Sequence, residues 1–209
     1  MKEHSPRTES LRHLAAALAF LSGGAALVVY VLFNFSLGAA LVFTFALIAG
    51  TLAWRLRGME TTRRAAFLRL LLRGALVGLL ATLAYDGARL AIVRLFRLPL
   101  NPFEAFPYFG YAIAGESIAR RSALAFGTLY HFMNGIFFGV SYCLLLGGRR
   151  WFYGVLWAFG LEVLMFSIYP TWLNLDAVLK EFTFVSVSGH IAYGAVLGAL
   201  ATRVDRHIS

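Results

Sequence analysis

The chain has 209 residues, of which 60% are hydrophobic and only 14% charged, and its mean hydropathy is +0.73. Apolar stretches this long and dense exclude a soluble core and predict an all-α, polytopic integral membrane protein, with residues 1–209 as a single transmembrane domain. A formal net charge of +9 would suggest nucleic acid in a soluble protein. Here the arginines flank apolar spans, so no nucleic acid is expected and membrane lipids are the expected partners.

In chain order, residues Met1 to Arg12 are polar and mixed in charge, and no small-residue cleavage site follows, so the first apolar stretch reads as a retained span. Six spans near the roughly 20 residues needed for crossing are expected: about 14–33, 37–54, 70–92, 123–147, 151–169 and 181–202. The first two hold almost no polar residues and read as scaffold, or as a docking surface for a membrane-protein partner or a second copy. Gly23, Gly24 and Gly38 there read as packing positions. The third span carries Arg73, Asp86 and Arg89; Asp86 and Arg89, three apart, can pair on one helix face. Residues 98–122 contain Pro99, Pro102 and Pro107 among Phe103, Phe106, Tyr108, Phe109 and Tyr111. That mixture is too apolar for a solvated loop and too broken by proline for a span, so an interfacial or re-entrant outer segment is expected. It reads as an aromatic belt or as a lid over a lipid-facing pocket. The lone Cys143 excludes an intrachain disulfide and a CxxC site.

Six spans put both termini on one side. With them go Lys2, Arg7, Arg12, Arg55, Arg57, Arg63, Arg64, Arg69, Arg73, Arg149, Arg150, Arg203 and Arg206, which is 13 of the 19 basic residues; Arg89, Arg94, Arg97, Arg120, Arg121 and Lys180 fall on the other side. The positive-inside rule then predicts cytoplasmic termini, in a bacterial plasma (inner) membrane. His13 and His207 are expected at the cytoplasmic edge.

Two spans share a pattern: His131, Gly135, Gly139 and His190, Gly194, Gly198. Steps of four and eight stay on one helix face, so each span presents a small-residue stripe that ends in an ionisable ring. On the fifth span Gly154, Ala158 and Glu162 step by four as well. At 1.5 Å of rise per residue, His131, Glu162, His190 and Asp86 all fall about 9–14 Å below the outer surface. If the stripes face one another, His131, Glu162 and His190 converge. Ionisable groups inside a membrane point to function. Two histidines and a carboxylate suit Zn or a non-haem Fe, haem between His131 and His190 is a second candidate, and hydrogen-bonded pairs with no cofactor are a third.

His131, Asn134 and the stretch Ser188-Gly189-His190 resemble, over these few residues, the rhomboid intramembrane proteases. The Gly-x-Ser-Gly nucleophile motif of that family is absent; the nearest stretch reads Phe159-Gly160-Leu161-Glu162. The helix order differs too, since one span separates the two histidines, so protease activity is not carried over.

The resulting expectation is a metal-dependent membrane enzyme acting on an amphipathic or lipid-like substrate in a polar pocket of the outer leaflet. His131, Glu162 and His190 would ligate, Asp86 would serve as an acid–base group or orient a ligand, and Asn134 or Tyr193 would orient substrate. The alternatives are a transporter or accessory subunit of a membrane complex, and a haem-bearing electron-transfer protein.

Overall fold

The structure, a computed structural model, describes residues 6–204. Lys2, Arg206 and His207 lie outside the described residues, as do the side chains of Arg7 and Arg203. The chain is an all-α membrane bundle of α1 (Pro6–Phe33), α2 (Leu37–Leu56), α3 (Thr61–Phe96), α4 (Ala105–Ala114), α5 (Arg120–Leu146), α6 (Phe152–Phe166), α7 (Tyr169–Trp172) and α8 (Leu179–Val204). Helices are the form in which a single apolar segment satisfies its own backbone groups where no water can. Outward-facing side chains such as Val42, Phe43, Leu129 and Val163 are apolar and exposed, as a lipid-facing surface requires.

The six expected spans appear as five helices long and apolar enough to cross, α1, α2, α3, α5 and α8, and a shorter apolar one, α6. The 15 residues of α6 extend about 22 Å at 1.5 Å per residue, short of a hydrocarbon core of about 30 Å. The rest of the expected span 151–169 is a turn that leads into α7.

Packing follows the small residues. A Cβ on Gly78 would meet the Ile136 and Gly139 backbones, and one on Gly139 would meet Gly74 and Gly78, so α3 and α5 touch backbone to backbone. Gly154 and Gly194 bring α6 and α8 equally close. On the other flank Gly23 and Gly24 lie beneath Phe137 and Phe138, seating α1 on α5 as expected for packing positions. Tyr130 donates to the Gly23 carbonyl (3.1 Å) and Ser141 to that of Ala17 (2.9 Å), pinning the same seam. Gly38 is crowded too, because a Cβ there would meet the Ile113 carbonyl at 2.8 Å. The helices thus contact in the order α2, α1, α5, α3, α8, α6. The row curls so that α6 returns toward α1 and α5 without packing tightly on either.

The proline- and aromatic-rich segment 98–122 packs against the bundle. α3 ends at Arg97 in the left-handed region (φ 50°), and the chain turns back along the bundle. α4 then runs antiparallel to the start of α5, with Gly127 against the Phe106 backbone and Gly110 against that of Ala123. Pro107 sits in the first turn of α4, where a missing N–H costs no helical bond. The beginning of α4 therefore lies level with His131, and its end near the start of α5.

Candidate functional site

The α3 stripe is Gly74, Gly78, Thr82 and Asp86, again in steps of four. Thr82 packs on Gly135, and its hydroxyl turns back to the Gly78 carbonyl (2.8 Å). One helical turn further, Asp86 meets His131: Nε2 lies 3.1 and 3.0 Å from the two carboxylate oxygens. In the second pair Gly154 lies against Gly194 and Gly198, Ala158 against Gly194, and Glu162 against His190. Each histidine–glycine stripe thus faces a small-residue stripe ending in a carboxylate, and each carboxylate takes the facing imidazole.

This corrects the expected convergence. His131 pairs with Asp86, and of the two histidines Glu162 meets only His190. Among the described residues no three His, Cys, Asp or Glu side chains come close enough to hold one ion. The reason is the seam: the α5 stripe packs on α3, whereas the α6 stripe packs on α8. The pairing of Asp86 with Arg89 is present, at a loose 3.7 Å.

The second pair has its own wiring. His190 Nδ1 stands 2.5 Å from Glu162 Oε2 and 3.1 Å from the Ser186 carbonyl. Ser186 Oγ donates to the same Oε2 (3.0 Å), while Glu162 Oε1 is buried without a partner. Carboxylates and carbonyls only accept, so each imidazole turns an N–H toward them. That places the proton on Nε2 of His131 and on Nδ1 of His190. The opposite nitrogen, Nδ1 of His131 and Nε2 of His190, makes no hydrogen bond to a described residue.

Both rings line one cavity of about 140 Å³, walled by Leu27 and Val28 of α1, Phe138 of α5 and Leu161 and Leu164 of α6. Asp86 and Glu162 do not line it; they stand behind their histidines. Tyr85 is wedged against both rings, with centroids 5.9 Å from His131 and 4.8 Å from His190. From the α4 side Phe106 covers His131 at 4.7 Å, Phe109 stacks on Trp172, and Tyr169 closes the corner. The cavity lies where the loosely packed α6 faces α1 and α5.

Asn134 and Tyr193 also line the cavity. The Tyr193 hydroxyl donates to the Gly135 carbonyl (3.2 Å), so it pins α8 to α5. Asn134 Oδ1 is buried without a partner. Ser188 makes no hydrogen bond to a described residue, whereas Ser186 is bound to Glu162. Tyr85 and Ser186 complete the site, and of the two only Ser186 carried a signal in its spacing to His190. Arg89, which the orientation count placed with the outer loops, is buried inside the bundle. Compared with family models, with curated proteins and with solved structures, the chain matches none.

Proposed function

We propose that the chain is a membrane enzyme that performs acid–base chemistry on an amphipathic or lipid-like substrate. The observation that carries this reading is the placement of the two histidines. Each turns one nitrogen to a carboxylate and leaves the other without a hydrogen bond to a described residue, and both side chains line one largely apolar cavity. A ring nitrogen that no described residue engages is available to a bound molecule. A histidine oriented by a carboxylate offers a lone pair when neutral and an N–H when protonated, as general base and general acid require. Two such rings on one cavity supply one of each. Asp86 and Glu162 hold the tautomers and stabilise the imidazolium, and Asn134 offers a polar contact to bound substrate. Zn, Fe and haem are not required by this reading. The weak packing of α6 against α1 and α5 suits access from the lipid.

The test is turnover. Protein in lipid nanodiscs, supplied with a total membrane lipid extract, should convert at least one lipid-like species detectable by mass spectrometry. His131→Gln and His190→Gln should each lower that rate about 10²–10⁴-fold, and Ser188→Ala should not. Absence of any conversion would contradict the reading.

The second reading is a proton-coupled transporter or an accessory subunit. It is favoured by the repeat of one helix pair, α3 with α5 and α6 with α8, because parallel repeats recur in transporters. Uptake of a labelled amphiphile into proteoliposomes, driven by a pH gradient and lost in both histidine variants, would support it over turnover.

For location, the proposal is a bacterial inner membrane with cytoplasmic termini. It rests on the basic residues, and the burial of Arg89 leaves only Arg94, Arg97, Arg120, Arg121 and Lys180 at the outer end. Labelling of single cysteines placed at 57, 149 and 172, in a Cys143→Ala background, should put 172 opposite the other two.

A further inference from the structure

Two cavities meet at Arg89. The inner one is that of His131 and His190. A second, of about 310 Å³, lies between the outer connections, with Pro99 and Pro102 on one side and Leu173 and Leu175 on the other. Arg89, Ala105 and Phe182 line both and form the partition. Among the described residues no other lysine or arginine lines either cavity.

The Arg89 guanidinium is short of acceptors. Its side chain is 9% exposed. The rings of Tyr85 and Phe103 cover its faces at 4.8 and 5.9 Å, which leaves only its edges for hydrogen bonds. One terminal nitrogen donates to the Pro102 carbonyl. The other stands 3.7 Å from Asp86, and the Nε–H is buried without a partner. Five N–H donors with one close acceptor leave a buried charge poorly compensated. The nearby carboxylates are engaged elsewhere: Asp86 with His131, Glu162 with His190 and Ser186, and Glu104 with Arg120 and Asn101. Since Asp86 and Glu162 stay off the inner cavity wall, the formal charge presented there is that of Arg89.

We infer that the ligand is a single-chain amphiphile with an anionic head, a carboxylate or a phosphate, bound by Arg89 at this partition with its chain in the inner cavity. The inference names the substrate class of the acid–base site and rests on that reading. A guanidinium whose Nε–H has no partner and whose nearest carboxylate stands 3.7 Å away suits the two-oxygen face of a carboxylate or phosphate. Asp86 touches both Arg89 and His131, so a head held there sits one side chain away from the first imidazole.

The experiment is calorimetric titration of the whole protein in phosphatidylcholine nanodiscs, with empty nanodiscs as the blank. The probes share a 12-carbon chain and differ in head: dodecanoate, dodecyl phosphate, dodecanol and dodecyltrimethylammonium. At least one anion should bind saturably and about tenfold or more tighter than the alcohol and the cation, as one good charged contact predicts; the tighter anion identifies the head. Arg89→Lys and Arg89→Gln should each weaken the anion about tenfold or more, whereas Arg120→Gln, at an exposed ion pair, should not. Should Arg89→Gln fail to fold, the wild-type head series and Arg89→Lys still decide. Alcohol or cation binding as tight as both anions, or full anion affinity in the Arg89 variants, would overturn the inference. His131→Gln and His190→Gln are read for turnover: if both turn over lipid at the wild-type rate while the wild-type protein prefers the anions, the acid–base reading fails and the anion site stands.

Discussion

In the α3–α5 pair, Gly74, Gly78 and Thr82 close the helices and Asp86 receives His131. In the α6–α8 pair, Gly154 and Ala158 close them and Glu162 receives His190. Small side chains bring each pair of backbones together, and the last position of the stripe carries the acid. The pairs then part. Asp86 is shared between an imidazole and the Arg89 guanidinium, and it meets His131 through Nε2. Glu162 is shared between an imidazole and the Ser186 hydroxyl, and it meets His190 through Nδ1. One pair is thus tied to a charge at the partition between the two cavities, while the other is held by neutral groups and is more deeply buried. A repeated packing scheme has placed two histidines on one cavity, and the surroundings have made them different.

The largest effect that would sharpen this contrast is expected at Asp86. Asp86→Asn removes the carboxylate partner of Arg89 and should destabilise the protein by about 3 kcal/mol, the low end for breaking a buried pair because the 3.7 Å contact is loose. Glu162→Gln keeps an acceptor for Ser186 and strands no cation, so about 1–2 kcal/mol is expected. Thermal unfolding in one detergent compares them; equal losses would remove the distinction between a charged and a neutral pair.

What the two pairs share is broken at the glycines. Gly139→Leu and Gly198→Leu set a side chain against the Gly78 and Trp151 backbones, and each should cost about 1–3 kcal/mol as overpacking. Gly160→Leu, where nothing lies within 4 Å, should stay within about 0.5 kcal/mol of wild type. If Gly139→Leu matched Gly160→Leu in the same unfolding assay, close backbone contact would no longer account for the repeat.

Much of this was legible from residue spacing. The apolar helices follow from apolar length and the pairing of Asp86 with Arg89 from an i, i+3 step. The prolines and aromatics of 98–122 announced a segment that dips back beside the bundle. What spacing leaves open is which helix a stripe faces. Gly135 and Gly139 show that some backbone comes close, but not that it belongs to α3 rather than α6. The matching stripe at Gly74, Gly78 and Thr82 lay in a span whose arginines drew attention first. Arg89 shows a second limit: a basic residue near a span end counts toward topology unless its burial is known. α6 shows a third, because hydropathy marks the apolar run but not the turn at Ser167 that ends the helix early.

The central claim is that two oppositely oriented histidines share one cavity, and nitrogen NMR of ¹⁵N-histidine-labelled protein in nanodiscs tests it most directly. At a pH where both rings are neutral, His131 should carry its proton on Nε2 and His190 on Nδ1. Asp86→Asn should shift only the first signal and Glu162→Gln only the second. Two rings in the same tautomer, or signals indifferent to the carboxylate facing them, would contradict the account.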